Sequence, residues 1–462
     1  MSPEKINIPQ LMQEQKLFFD QKRTGDVAIR KTFLNRLKEE ILQQETAICD
    51  ALYKDLKKSE FEAKASETQF VLAELSKAIK KIKKWARADW VFPSLANFPS
   101  VDYIYKEPYG QVLIIAPWNY PFQLAIAPLI GAVAAGNTAI VKPSELTPQT
   151  SAILNKIISK VFPENYVKVV EGDAGVSKAL LREKWDYIFF TGSTNVGKIV
   201  YRSAAEHLTP VTLELGGKNP CIIDETAQLP LAAKRICWGK FLNCGQTCIA
   251  PDYIMVHKSI KDQFITELKK VIRKAYGDKV QISADYPRIV NQNHFERLLK
   301  LIENEQIIFG GETDASDLYI APTLIDEPSL GSAVMKGEIF GPLLPVIGYD
   351  NLDEIETVLA NYEKPLSMYI FSGNLKEAKR FMNKFSFGGG AINDTVVHII
   401  NKNLPFGGVG NSGIGSYHGK KSFDVFSHHK PVVRRANWLD LPLRYPPYKS
   451  KMNLVNYIKH FL

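Results

Sequence analysis

The sequence predicts an α/β protein built in two lobes, and three observations carry that prediction. Its 462 residues exceed what one ordinary hydrophobic core accommodates. Its middle region alternates short, wholly apolar runs with helical stretches, the pattern of parallel strands covered by helices on both faces. Its first ninety residues are rich in Lys, Glu, Gln and Leu with almost no glycine, which reads as several amphipathic helices. A composition of 45% hydrophobic and 23% charged residues is that of a globular protein.

Within the helical start, Leu75, Ile79, Ile82 and Trp85 recur at helical spacing through the basic run Lys77 to Arg87, so its lysines line the wet side of a helix. With a net charge of only +9 over the whole chain and no arginine-rich arm, no nucleic-acid partner is expected. Near Trp90 the pattern changes. Pro93, Pro99 and Pro108 punctuate a short segment, and Val101 to Tyr105 alternate like an exposed strand. From Gln111 strands are expected over Val112 to Ala116, Thr138 to Lys142, Val167 to Gly172 and Asp186 to Gly192. Helices fall between them, through Leu124 to Ala135 and from Ser151. A second unit is expected from Thr212, with strands at Cys221 to Asp224, Tyr253 to His257 and Leu343 to Tyr349. Pro405 to Gly419 is glycine-dense and reads as irregular backbone.

No apolar window is long enough to span a bilayer, so no integral membrane anchor is expected. The tail Leu454 to Leu462 is apolar at helical spacing but interrupted by Asn456, Lys459 and His460, which suits docking on the body or on a partner subunit. The five cysteines are odd in number and no secretory leader precedes them, so reduced thiols in a cytoplasmic compartment are expected.

Cys244 and Cys248 share the stretch FLNCGQTCIA. Three residues separate them, and no second Cys and His cluster completes a tetrahedron, so no metal site is expected. Nor is this the two-residue spacing of a redox pair. Taken alone, either thiol reads as a small buried hydrophobe. Phe190 to Lys198 (FTGSTNVGK) leaves an apolar strand and enters a helix. The helix amino end near Gly192 and Ser193 suits a pyrophosphate, although a plain strand-to-helix turn has the same look. Lys142 and Glu145, at the end of another strand, suit ribose hydroxyls or a surface ion pair equally.

The strings PWNYP (Pro117 to Pro121), FTGSTNVGK, LELGGK (Leu213 to Lys218), NCGQTC (Asn243 to Cys248), EIFGPLLP (Glu338 to Pro345) and PFGGVGNSGIGSYHGKKSFDVFSH (Pro405 to His428) occur in one order. Together they resemble the aldehyde dehydrogenase superfamily, and the short amino-terminal region and closing motif resemble its class 3 branch. The resemblance implies a Rossmann-like dinucleotide-binding domain from residues 1–88 and 108–211 and an α/β catalytic domain over 212–425. Residues 89–107 and 426–462 would form a small bridging and oligomerisation element with the tail, in a homodimer.

The same resemblance makes Cys248 the nucleophile, Glu214 the general base and Asn119 the oxyanion-stabilising amide. It assigns Glu338 to the nicotinamide ribose, Phe340 to the ring, Gly192 and Ser193 to the pyrophosphate, and Lys142 and Glu145 to the adenosine ribose. The implied cofactor is NAD, with NADP possible. Tyr120, Trp238, Leu242, Ile399 and Phe406 would line a funnel suited to an apolar or aromatic aldehyde.

The chemistry explains the residue types. An aldehyde has no tetrahedral carbon from which hydride can leave until a nucleophile adds, and a thiolate adds well near neutral pH. The resulting thioester then needs water and a base. Two rivals stay open on sequence: an acylating dehydrogenase that passes the thioester to coenzyme A, against which Glu214 argues, and a catalytically silent binding protein on the same fold.

Overall fold

The computed structural model describes residues 7–94, 97–440 and 442–452. The expected helical start is present as Ile8–Asp20, Val27–Gln43, Glu45–Leu56 and Gln69–Trp85. Side-chain caps set the entries of the first two: Asn7 accepts from the Gln10 amide and Asp26 from that of Ala28. Leu75, Ile82 and Trp85 are buried on the inner face of the last helix, while Lys80, Lys81, Lys83 and Lys84 are exposed.

Two large sheets follow. In the first, the strands run in the order Gly413–Ile414, Val211–Glu214, Tyr187–Thr191, Gln111–Ile115, Thr138–Lys142 and Val167–Val169. All pairings are parallel except the short edge contributed by Gly413–Ile414. Alternation along Gln111–Ile115 feeds two cores, with Val112 and Ile114 packed on one face and Leu113 and Ile115 on the other. The chain builds outward from Gln111–Ile115 in one direction and returns to place Tyr187–Thr191 on its other side. The crevice of this sheet therefore opens where the Ala116–Tyr120 loop and the Gly192–Ser193 turn leave adjacent strands.

The second sheet orders Ile307–Phe309, Thr323–Asp326, Leu343–Tyr349, Tyr253–His257, Pro220–Ile223, Ser367–Phe371 and Gly389–Ile392. Only its first pairing is antiparallel. A third sheet joins Asp89–Val91, Ser100–Pro108 and Ser427–Arg435 in antiparallel register, from Ser427 opposite Pro108 to Arg435 opposite Ser100.

Val211–Glu214, which straddles the expected start of the second unit at Thr212, is hydrogen-bonded beside Tyr187–Thr191 and completes the parallel part of the first sheet. The second sheet starts at Pro220. The glycine-dense segment is mostly irregular, yet it also returns to the first sheet through Gly413 opposite Glu214. Among the described residues, no helix is long and apolar enough to cross a membrane. The tail from Leu454 lies outside the described residues.

Candidate active site

A cavity of about 1030 Å³ lies between the two large sheets. The first lobe lines it with Pro117 to Tyr120, Thr191 to Ser193 and Glu214 to Gly216, and the second with Trp238, Leu242, Thr247, Cys248, Glu338 and Phe340. Ile399 and Phe406 close another wall. Thus Cys248, Glu214, Asn119, Gly192, Ser193, Glu338, Phe340, Tyr120, Trp238, Leu242, Ile399 and Phe406, all singled out in the sequence, share one space. Lys142 and Glu145 do not line it. They stand at the end of Thr138–Lys142, where the buried Lys142 ammonium donates to the Pro143 carbonyl and pairs with Glu145 at 3.2 Å.

Cys248 follows the helix Leu229–Phe241 through a strained turn. Asn243, Cys244 and Gly245 all have positive φ, at 52°, 55° and 72°. For the two non-glycine residues this costs roughly 1–2 kcal/mol each, and the surroundings hold it in place. The Asn243 amide donates to Glu62 at 2.9 Å, and Asn243 Nδ2 donates to the Asn119 carbonyl at 2.7 Å. Gln246 spans the turn, donating to the Asn243 and Arg288 carbonyls and accepting from the Val290 amide. Of the five thiols, all free, Cys248 alone among the described residues reaches the cavity. Cys244 is fully buried in the second core. Burial pushes the Cys248 thiol up, and the carboxylates of Glu338 and Glu214 push it further. The amides of Cys248 and Ile249 act in the opposite direction.

Asn119 is 3% exposed, and its side-chain Nδ2 donates to the carbonyl of Gln246 at 3.1 Å. That bond ties the amide to the backbone two residues before Cys248 and engages one of its two N–H groups. Tyr120 is tied to the same turn through its hydroxyl, 2.7 Å from Thr247 Oγ1. Glu214 ends its strand with both carboxylate oxygens buried and without partners, and that desolvation raises it well above the usual carboxylate range. Glu338 is pushed to about 8, first by burial and then by Asp252, against the opposing pull of the Gly217 amide, Arg297 and Lys218.

Sequence reading missed Lys58, Glu62, Glu67 and Trp118. Lys58 and Glu67 form a fully buried ion pair at 2.6 Å behind the Asn119 loop. Glu62 lines the cavity. Trp118 packs edge-on against Phe340, with ring centres 5.2 Å apart. The Trp-Asn pair within PWNYP was the one local signal for any of them.

The residues present fit a nicotinamide dinucleotide. Thr191 and Glu338 line the cavity, and Thr191 Oγ1 and Glu338 Oε1 are buried polar atoms with no partner. The helix Thr194–Glu206 begins there, with Ser193 as its cap, so its amino end offers the positive pole that a pyrophosphate requires.

The aldehyde dehydrogenase family model matches residues 6–432. The chain is 50% identical to 4,4'-diaponeurosporen-aldehyde dehydrogenase of Staphylococcus aureus, over 98% of this chain and 99% of the relative. It is 43% identical to the dimeric NADP-preferring aldehyde dehydrogenase of Canis lupus familiaris, over 96% and 99% of the two chains. A solved structure of Staphylococcus aureus AldH in a substrate-bound state superposes with a TM-score of 0.96 at 49% identity, covering 98% of this chain and 99% of that one. A cavity that joins a lone reachable thiol, an unpartnered carboxylate and a helix amino end thus agrees with whole-chain similarity: this chain belongs to the aldehyde dehydrogenase family and is an NAD(P)-dependent aldehyde dehydrogenase.

Proposed function

We propose that the chain oxidises apolar aldehydes, medium- or long-chain aliphatic or aromatic, to carboxylic acids through a thiohemiacetal and a thioester on Cys248. The observation that carries this reading is the convergence of Cys248, Asn119 and Glu214 on one cavity whose walls also include Phe61, Phe70, Trp238, Ile399 and Phe406. Relatives named for a diaponeurosporen-aldehyde and for dimeric enzymes support the substrate class and a homodimer. The exposed Val432 and Val433 on the edge strand Ser427–Arg435 also suit a subunit contact.

In this reading the Cys248 thiol releases its proton to solvent and the sulfur, as thiolate, adds to the carbonyl carbon. The free N–H of the Asn119 amide and the Cys248 backbone N–H hold the oxygen while it becomes an alkoxide. The bound nicotinamide supplies the hydride acceptor. Glu338 holds the nicotinamide ribose, Phe340 packs near the ring, Gly192 and Ser193 hold the pyrophosphate, and Lys142 with Glu145 hold the adenosine ribose. A carboxylate at Glu145 disfavours a 2′-phosphate, so NAD is preferred over NADP. Tyr120 and Leu242 shape the funnel. Glu214, raised by burial, takes the proton of the water that cleaves the thioester.

Residues 1–88 and 108–211 serve as the cofactor domain, 212–425 as the catalytic domain with its first strand lent to the neighbouring sheet, and 89–107 with 426–462 as the bridging element. A mechanism that depends on a free thiol suits a reducing, cytoplasmic compartment. The test is a panel of aldehydes read at the absorbance of reduced nicotinamide, with Cys248→Ala and Glu214→Gln beside the parent. Cys248→Ala abolishes reduction, and Glu214→Gln keeps a burst of reduced cofactor but turns over slowly. Equal activity of parent and Cys248→Ala, or a strict requirement for coenzyme A, overturns the reading.

A further inference from the structure

The short helix Glu60–Ala63 widens into a single π turn, Lys64–Thr68, before continuing as Gln69–Trp85. Such turns re-aim side chains and recur at functional sites. Here the turn carries Glu67, which is fully buried. One Glu67 oxygen accepts from Lys58 at 2.6 Å, and the other accepts from the backbone amides of Phe122 at 2.9 Å and Gln123 at 3.1 Å. Lys58 is equally buried. Its ammonium also donates to the Asn119 carbonyl at 3.3 Å and sits 4.3 Å from the centre of the Tyr120 ring. Two opposite charges out of contact with water therefore end on the loop that carries Asn119. Glu67 caps the amides that follow the loop, and Lys58 grips the loop itself.

A buried ion pair is a weak source of stability, because its desolvation offsets its attraction. What this one provides is fixed geometry at five named contacts.

We infer that Lys58 and Glu67 are positioning residues for thiohemiacetal formation, holding the Asn119 amide where it meets the aldehyde oxygen as Cys248 adds. This inference rests on the reading of Asn119 as the oxyanion donor. A donor displaced by a fraction of an ångström loses much of its value, since misplacement by about 1 Å can cost on the order of a hundredfold in rate.

The test compares Glu67→Gln, Lys58→Met/Glu67→Gln, Asn119→Ala and Asn119→Ala/Glu67→Gln in the full chain with NAD. The measurements are kcat, KM for aldehyde and for NAD, and the rate at which iodoacetamide alkylates Cys248. Asn119→Ala lowers kcat/KM for aldehyde by roughly a hundredfold. Glu67→Gln lowers it by about tenfold or more, leaving KM for NAD unchanged. Alkylation, which forms no oxyanion, stays within about twofold of the parent in both. Combining Asn119→Ala with Glu67→Gln costs no more than Asn119→Ala alone, because both act through one amide. The Lys58→Met/Glu67→Gln variant leaves no lone buried charge, so it reports on positioning even if Glu67→Gln folds poorly. Losses that multiply in the combined variant, or parental kcat/KM in both charge variants while Asn119→Ala is slow, overturn the inference. An unaffected Asn119→Ala removes the oxyanion reading itself.

Discussion

Gly216 stands directly against Glu338: a Cβ built on Gly216 would lie 2.1 Å from one carboxylate oxygen and 2.4 Å from the other. Glu338 is fully buried at its unpartnered Oε1, and Arg297 and Lys218 lie near enough to favour its charge. To retreat into the cavity it must leave the Gly217 amide. Gly216→Ala is therefore expected to move the carboxylate and weaken NAD binding by about tenfold, or ~1.4 kcal/mol. Equilibrium titration of NAD by tryptophan quenching measures this. Parental affinity in the variant would separate Glu338 from the cofactor.

The Cys248 thiol carries two carboxylate neighbours that raise it, Glu338 more than Glu214. Removing either negative charge relieves the repulsion felt by the thiolate. Glu338→Gln and Glu214→Gln should each move the pH profile of Cys248 alkylation to lower pH, with the larger displacement for Glu338→Gln. Alkylation by iodoacetamide in the absence of cofactor, followed across pH, gives the order directly. A move to higher pH in either variant would mean that the carboxylate does not act on the sulfur through charge.

Gly245 has φ of 72°, and a Cβ there would come 2.3 Å from the carbonyl oxygen of Gly341. Both the backbone conformation and the contact exclude a side chain, and the obstacle is main chain that cannot rotate away. Gly245→Ala is expected to cost on the order of 3 kcal/mol, combining positive-φ strain with overpacking. Urea unfolding with an unchanged m value is the measurement. The same variant should lose turnover, because the turn it disturbs ends at Cys248.

Much of this architecture is readable from the residues alone, and the exceptions share a cause. Tyr253–His257 and Leu343–Tyr349 are closed apolar runs, so their limits are set locally and the structure keeps them. Val211–Glu214 (VTLE) is a short run with only two apolar residues, its sequence does not say which sheet it joins, and the neighbour Tyr187–Thr191 decides. Gly413–Ile414 becomes a strand only because Glu214 and Leu213 offer their backbone two hundred residues earlier. At the site, Cys248, Glu214 and Asn119 sit in motifs that carry their chemistry. Lys58 had no such signal. Beside Lys57 it looks like one more surface lysine, and its burial depends on Glu67, brought to it across a π turn that helical spacing does not anticipate.

Glu62 links stability to pH through the same turn that presents Cys248. Its carboxyl is buried, accepts the Asn243 amide at 2.9 Å, and is pushed to about 7, chiefly by burial, with Lys58 the largest opposing influence. A carboxyl raised in the folded state binds a proton more tightly there than in the unfolded chain. Between the ordinary value of 4.5 and about 7 the native state therefore holds the extra proton, and stability falls as pH rises through that window. Glu62→Gln keeps an oxygen for the Asn243 amide without the ionisation. At pH 8 it should be more stable than the parent, by on the order of 2–3 kcal/mol, whereas at pH 4 the two should unfold alike. Urea titrations at the two pH values test this. A variant less stable than the parent at pH 8 would show that the ionised carboxylate is held favourably and that Lys58, rather than burial, governs it.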